Sequence, residues 1–330
     1  MARVEHYMLL VTRAAAVLGV FFLLMVALLS VADATGFAER TSVRATVSEG
    51  MFVGGLDLSV PVGPHGVFLN GGYTYLDYRK ITPTGRALDL TGFSHQAALG
   101  AEWRAVRTRN VNVTLDARLA GKVLVDDSLV GQLADKRSLS LTLGLSGDLR
   151  DDILAGGFTW WNASATFGDL DLSRLPGALA ADAAGLRTDG SFARFNAGVS
   201  RVQGLRNGLS VLGRVAGQWA SGNLDSSEEF SLGGPYGVRA WPVGEGQGDM
   251  GVVGSLELRY DLPSDGSHGR VQLAAFVDAG HVWLNRSPGA IPAANLCACN
   301  DYSLFGAGVG VNWTRRNFGF SASWAHALGS

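Results

Sequence analysis

From residue 40 onward, apolar and polar side chains alternate with a period of two, and no helical period of useful length appears. In Ser255–Leu262, Leu256, Leu258, Tyr260 and Leu262 share one face, while Ser255, Glu257, Arg259 and Asp261 share the other. Residues 138–145 place four leucines on one face: Leu139, Leu141, Leu143 and Leu145. In Val111–Leu119, Val111, Val113, Leu115, Ala117 and Leu119 oppose Asn112, Thr114, Asp116 and Arg118. In Phe305–Trp313, Phe305, Ala307, Val309, Val311 and Trp313 oppose Gly306, Gly308, Gly310 and Asn312. Soluble sandwiches alternate too, so segment length and the nature of the polar face decide. Many of these segments exceed the usual strand length. Their polar faces mix Asp, Glu, Arg, Asn and Gly, as a wet interior would. Their apolar faces end in Trp103, Trp219, Trp313 and Trp324, matching the aromatic girdles of membrane barrels.

The pattern predicts an all-β fold, an antiparallel up-and-down transmembrane β-barrel, with thirteen strands. They are expected near 41–49, 53–61, 66–78, 92–105, 110–124, 136–149, 152–168, 191–205, 208–221, 252–262, 269–283, 302–314 and 317–328. Short turns fall at 62–65, 106–109, 150–151, 206–207, 263–268 and 315–316. Long loops fall at 79–91, 125–135, 169–190, 222–251 and 284–301. Short periplasmic turns and long outer loops are the rule for such barrels. In this register Leu139, Leu141, Leu143, Leu256 and Leu258 face lipid, and Asp116, Arg118, Glu257, Arg259 and Asp278 face the lumen.

The N-terminus predicts export. Arg3 and Arg13 precede an unbroken apolar run at 14–29, and Ala32 and Ala34 occupy the −3 and −1 positions of a cut after Ala34. These are the parts of a signal peptide. An uncleaved hydrophobic helix is the rival reading, although Arg13 interrupts the longer run it needs. The domain reading is therefore 1–34 as signal peptide or hydrophobic helix, and 35–330 as the barrel.

Composition agrees. Glycine is 45 of 330 residues, about 14 % and roughly twice the usual share, while proline is only 9. That suits a large all-β protein rather than collagen or a Pro/Gly linker. Lys+Arg 27 against Asp+Glu 29 gives a net charge of −2, without the basic footprint of a nucleic-acid binder. Cys297 and Cys299 are one residue apart. A disulfide between them closes a very small ring, and no further metal ligands cluster nearby, so they read as incidental loop cysteines.

Enzyme chemistry finds little support. Adjacent pairs such as Glu228-Glu229 and Asp126-Asp127 point to opposite faces on a strand and read as solvated loop residues. Gly244-x-Gly246-x-Gly248 lacks the Lys-Ser/Thr and the helix of a phosphate loop. The six histidines show no ligand spacing; His95 alone reads as well inside a strand near hydroxyl or acidic groups. No triad order or nucleophile motif stands out. The expectation is a non-enzyme with no metal, no cofactor and no small-molecule substrate.

The loop at 222–251 is the informative segment. Its Leu232-Gly233-Gly234…Val238-Arg239-Ala240-Trp241-Pro242 and the downstream Phe276-Val277-Asp278-Ala279-Gly280 resemble the LGG…VRG-aromatic loop and F-x-D-x-G strand of two-partner secretion (TpsB-type) outer-membrane transporters, the haemolysin secretion/activation ShlB/FhaC/HecB family. Ala240 stands where that family more usually has glycine. The resemblance covers most of 41–329. It implies an outer-membrane location in a Gram-negative bacterium, a loop folded back into the lumen, and a secreted TpsA-type exoprotein as partner.

From the residues alone, Arg239 and Asp278 read as separately solvated. The resemblance makes them a pair, and an arginine tucked inside a barrel needs such a carboxylate. Asp278 opposes Val271, Leu273 and Val277 in strand parity, so it faces the lumen when those face lipid. The resemblance also implies POTRA domains and a sixteen-strand barrel, of which the thirteen strands here correspond to strands 3–15. The chain is accordingly expected to be a truncated barrel lacking POTRA domains. The function expected is translocation of an unfolded exoprotein, with Leu232–Trp241 gating the lumen. A barrel-assembly insertase of the same superfamily, a passive porin and a surface hydrolase are the alternatives.

Overall fold

A computed structural model describes residues 40–263, 269–288 and 299–329. The expected signal segment at 1–34 lies outside them. The described residues are mostly strands: β1 (Arg40–Ser48), β2 (Met51–Val62), β3 (Val67–Arg79), β4 (Thr91–Arg107), β5 (Val111–Ser128), β6 (Gly131–Asp151), β7 (Gly157–Asp171), β8 (Gly190–Gly204), β9 (Leu209–Ala220), the two-residue β10 (Phe230–Ser231) and β11 (Gln247–Gly248), then β12 (Met250–Asp261), β13 (Arg270–Trp283), β14 (Asp301–Arg315) and β15 (Phe318–Leu328). Thirteen form one sheet in chain order, and β10 pairs with β11 separately. This is the meander that the alternating pattern predicts.

The chain divides into two compact units. The first contains β1–β3, most of β4 and the 116–142 and 168–181 segments. Its β1–β2, β2–β3 and β3–β4 pairs are antiparallel. Tyr78 donates its hydroxyl proton to Asp126 at 2.6 Å. The second unit contains residues 105–115, 143–167 and 182–330, and within it β8, β9, β12, β13, β14 and β15 pair antiparallel in that order.

The alternation appears as two faces. Leu139, Leu141, Leu143, Leu256 and Leu258 are all exposed, whereas Glu257 and Asp278 are buried. Trp103, Trp219 and Trp324 are exposed on the apolar face, and Trp313 is partly covered. An exposed apolar surface this extensive requires a nonaqueous neighbour.

Several boundaries differ from expectation. The loop expected at 125–135 is instead the continuous end of β5 and start of β6, joined through Leu129 and Val130, with Ser128 Oγ donating to the Gly131 carbonyl at 2.9 Å. A hairpin standing in water keeps its backbone ladder without an apolar face, so polar residues there do not end the strands. The turn expected at 150–151 lies at 152–156, where the Asp151 carboxylate accepts the Ile153 amide. Two short helices were not expected, α1 (Pro83–Ala87) and α2 (Pro176–Ala184). Each begins on proline, which suits the first helical turn, and both are too short for periodicity to register. The turn at 206–207 is placed as expected. Asn207 and Gly208 both take positive φ, 57° and 76°, the left-handed pair that a tight hairpin requires.

Candidate functional site: a loop held on the polar wall

The segment between β9 and β12 lies on the polar face of β12–β14. Three alternate residues of β13 receive it, which explains the F-x-D-x-G pattern. Phe276 lies under the Arg239 guanidinium, 3.3 Å from its carbon to the ring centroid. Asp278 accepts Arg239 Nε at 2.9 Å, Nη2 at 2.8 Å and the Arg239 backbone amide at 3.1 Å. Gly280 supplies the space in which Leu232 sits, since a Cβ there would overlap the leucine side chain. A period of two places all three on one face.

Arg239 has further partners that the sequence reading did not assign. Its Nη1 donates to Glu257 at 2.7 Å and its Nη2 to Ser255 Oγ at 3.0 Å. Ser255 in turn donates to Asp278 at 2.7 Å, and Arg259 binds the other oxygen of Glu257 at 2.7 Å. The Asp278 side chain is 0 % exposed and that of Arg239 22 %. Burial works against the Arg239 charge, but its two carboxylate partners outweigh it and hold the guanidinium above its ordinary range. Removing one partner of such a buried pair costs about 3–5 kcal/mol.

Apolar contacts make a second hold of similar size. Leu232 and Val238 are fully buried with Val253, Val282 and Leu304, and Trp241 packs beside them. Burying two such side chains stabilises by roughly 3–6 kcal/mol in total. The glycines of the loop allow the fold. Gly233 passes against the Pro242 carbonyl, and Gly234 takes φ +102°. The Val238 amide donates to the Leu232 carbonyl at 2.8 Å, and the Gly234 amide to the Trp241 carbonyl at 2.9 Å. Trp241 Nε1 donates to the Phe305 carbonyl at 3.0 Å. Ala240 is accommodated by Gly306, where a Cβ would stand only 2.7 Å from the alanine methyl. The loop motif and the three inward residues of the strand motif, Phe276, Asp278 and Gly280, are thus brought to one place. Pro242 takes part through its backbone, its carbonyl accepting the Glu245 amide at 3.2 Å.

The root of the loop is anchored separately, and here the sequence reading is corrected. Glu228 is buried, not solvated, and pairs with Arg194 at 3.0 Å. Arg194 also reaches Asn196, which bonds Gln218, and Gln218 Nε2 donates to the carbonyls of Glu228 and Asp249. Asp249 is 1 % exposed and accepts the amides of Leu224 at 2.8 Å and Arg286 at 2.6 Å. Burial pushes its carboxyl above the ordinary range despite these two donors. Asp126 is likewise a strand residue bonded by Tyr78, not a solvated loop residue.

Elsewhere, His95 Nδ1 lies 2.6 Å from Tyr73 Oη, as its strand position suggested. His281 is a second strand histidine: Nδ1 is 2.9 Å from Ser303 Oγ, and Nε2 is 3.6 Å from Asp301. That last distance is outside hydrogen-bond range, so the carboxylate does not orient the ring as a catalytic triad requires. Cys299 is disulfide-bonded, and Cys297 lies outside the described residues.

Comparison with known proteins places the fold and the family. The chain is 27 % identical over 192 residues to the heme/hemopexin transporter protein HuxB of Haemophilus influenzae, a match covering 57 % of this chain and 33 % of the relative. The chain therefore spans about a third of the length of the curated relatives it matches. Its fold is similar to that of CdiB from Escherichia coli, with a TM-score of 0.67, 22 % identity and coverage of 84 % of this chain and 49 % of that one. It is also similar to BamA from Haemophilus ducreyi lacking POTRA domains 1–3, with a TM-score of 0.60, 16 % identity and coverage of 89 % and 62 %. The fold is that of an outer-membrane β-barrel, whose apolar face meets lipid and whose polar face lines the lumen. The profile of the haemolysin secretion/activation protein ShlB/FhaC/HecB family matches residues 39–313, and the chain belongs to that family of Gram-negative outer-membrane transporters.

Proposed function

We propose that this chain forms part of a two-partner secretion translocator, which passes an unfolded exoprotein from periplasm to cell surface, and that the Leu232–Trp241 loop gates the lumen. The observation that carries the reading is the Arg239 clamp: a loop tip bound to Asp278 and Glu257 on the polar wall. A tip held by two carboxylates and two buried apolar residues is a defined closed position. The HuxB relative is named as a transporter, which supports transport as the role. The substrate is a polypeptide exoprotein, and neither a nucleic acid nor a small molecule.

Reconstitution tests this. Full-length protein is placed in liposomes of outer-membrane lipid, and unfolded cognate exoprotein is added on the side of the short turns. Exoprotein protected inside the vesicles supports translocation. Insertion of an unrelated barrel precursor, without transfer of the exoprotein, supports the assembly insertase instead.

A further inference from the structure

The loop tip covers a cavity of about 140 Å³ on the polar face, bounded by Tyr236 and Gly237 of the loop and by Arg214, Glu257 and Arg259 of the wall. The clamp uses Arg239, Glu257 and Arg259, and leaves Arg214 over. Arg214 on β9 is directly opposite Ser255, and Ser255 is directly opposite Asp278, so the three form a row on one face. Arg214 is partly buried, and its side chain makes no ion pair or hydrogen bond among the described residues.

Charge counting gives this spare cation a role. With the loop docked, three guanidinium groups, of Arg214, Arg239 and Arg259, face two carboxylates, of Glu257 and Asp278. Arg239 leaves with the loop. The wall then holds two of each sign. We infer that Arg214 is the stand-in for Arg239: when the tip lifts, its side chain turns along the Ser255 row toward Asp278, while Arg259 keeps Glu257. The physical need is clear, because a carboxylate as enclosed as Asp278 is costly to leave unpaired. Reach is adequate, since Arg214 and Asp278 lie in one row two strands apart, roughly 10 Å between their backbones, a gap that an extended arginine and a carboxylate close between them. Arg214 is thus a positioning residue of the open state. Its side chain has no direct partner in the docked state, and it lowers the cost of leaving that state. This inference rests on the reading that the loop moves.

Single-channel recording of the full-length protein in planar bilayers tests it without any exoprotein. Arg214→Gln is expected to give about ten-fold fewer openings, equivalent to about 1.4 kcal/mol on the open state, and Arg214→Lys to restore most of them. A wild-type channel whose loop never opens overturns the gating reading itself. Openings whose frequency is the same in Arg214→Gln overturn only the stand-in. A second measurement serves if the variant inserts poorly. Arg214→Gln should lower the unfolding temperature in detergent more in an Arg239→Ala background than in the wild type. Equal falls in both backgrounds reduce Arg214 to an ordinary structural residue and overturn the inference.

Discussion

Arg239 and Asp278 are joined by three hydrogen bonds, two from the guanidinium and one from the Arg239 backbone amide. The fork therefore fixes the side chain while the amide fixes the main chain of the tip. Arg239→Lys keeps charge but loses the planar fork. It should retain part of the tip's protection from protease, whereas Arg239→Ala should retain little. In a double-mutant cycle with Asp278→Asn, read by unfolding temperature in detergent, the double mutant should be little worse than either single one. Simple addition of the two losses would show that the residues act separately.

The apolar hold gives a separate prediction. Gly280→Val places branched atoms where Leu232 sits and sets its Cβ against the Val252 carbonyl oxygen of β12, so the tip should lose its seat and become protease-sensitive, with a local shift between β12 and β13. The cost should be about 1–3 kcal/mol, as for overpacking in general. Gly254→Val is the control. A Cβ at residue 254 would meet nothing nearer than the Arg214 carbonyl oxygen, at 3.7 Å, and the change should leave tip protection as it is in the wild type.

At the root, Arg194 and Glu228 predict a different pattern. Arg194→Met takes the guanidinium away from the buried Glu228 carboxylate and should destabilise by up to about 3–5 kcal/mol. Adding Glu228→Leu should recover much of that loss. Protease cleavage before residue 232 reports this root, as distinct from cleavage at the tip. A double mutant no better than Arg194→Met would show that the ion pair is incidental to the root.

Asp249 sets a pH dependence. Its carboxyl is raised above the ordinary range, principally by burial, so folding favours the protonated form. The sign follows from proton linkage. This group's contribution to stability is fully present below the unfolded-state value, about 3.9, and is lost as pH rises through the higher folded value. Asp249→Asn removes the titration. The stability of wild type relative to Asp249→Asn should therefore decline as pH is raised from acid to neutral, measured by unfolding temperature in detergent. A difference that grows with pH would mean that the Leu224 and Arg286 amides outweigh burial.

The sheet was legible because alternation is a physical necessity when one face meets lipid and the other water. Leu256 and Glu257 could be assigned to opposite faces from their neighbours alone. Boundaries were less legible where strands rise into water, as at 125–135, because there neither face has to be apolar. The tip motif was legible through resemblance, since nothing local links residue 239 to residue 278. Glu257, Ser255 and Arg214 were missed as parts of the site for a related reason. Their alternation showed which face they occupy, but their place beside Arg239 depends on cross-strand register. Glu228, a loop residue, looked solvated because Arg194, with which it pairs, lies on β8, 34 residues away.

Gating is open to a decisive test by a reversible lock. Ala240→Cys and Gly306→Cys, with Cys297 and Cys299 both changed to serine, place two thiols across the junction between tip and wall. A Cβ at residue 306 would lie 2.7 Å from that of Ala240, so a shift of about 1 Å reaches the usual disulfide spacing. Secretion of the exoprotein is then measured with the lock oxidised and after reduction. If the loop is the gate, the oxidised protein is present in the outer membrane but does not secrete, and reduction restores secretion. Secretion at the wild-type rate with the lock closed would refute gating, because the polypeptide would then pass without the loop ever leaving the wall.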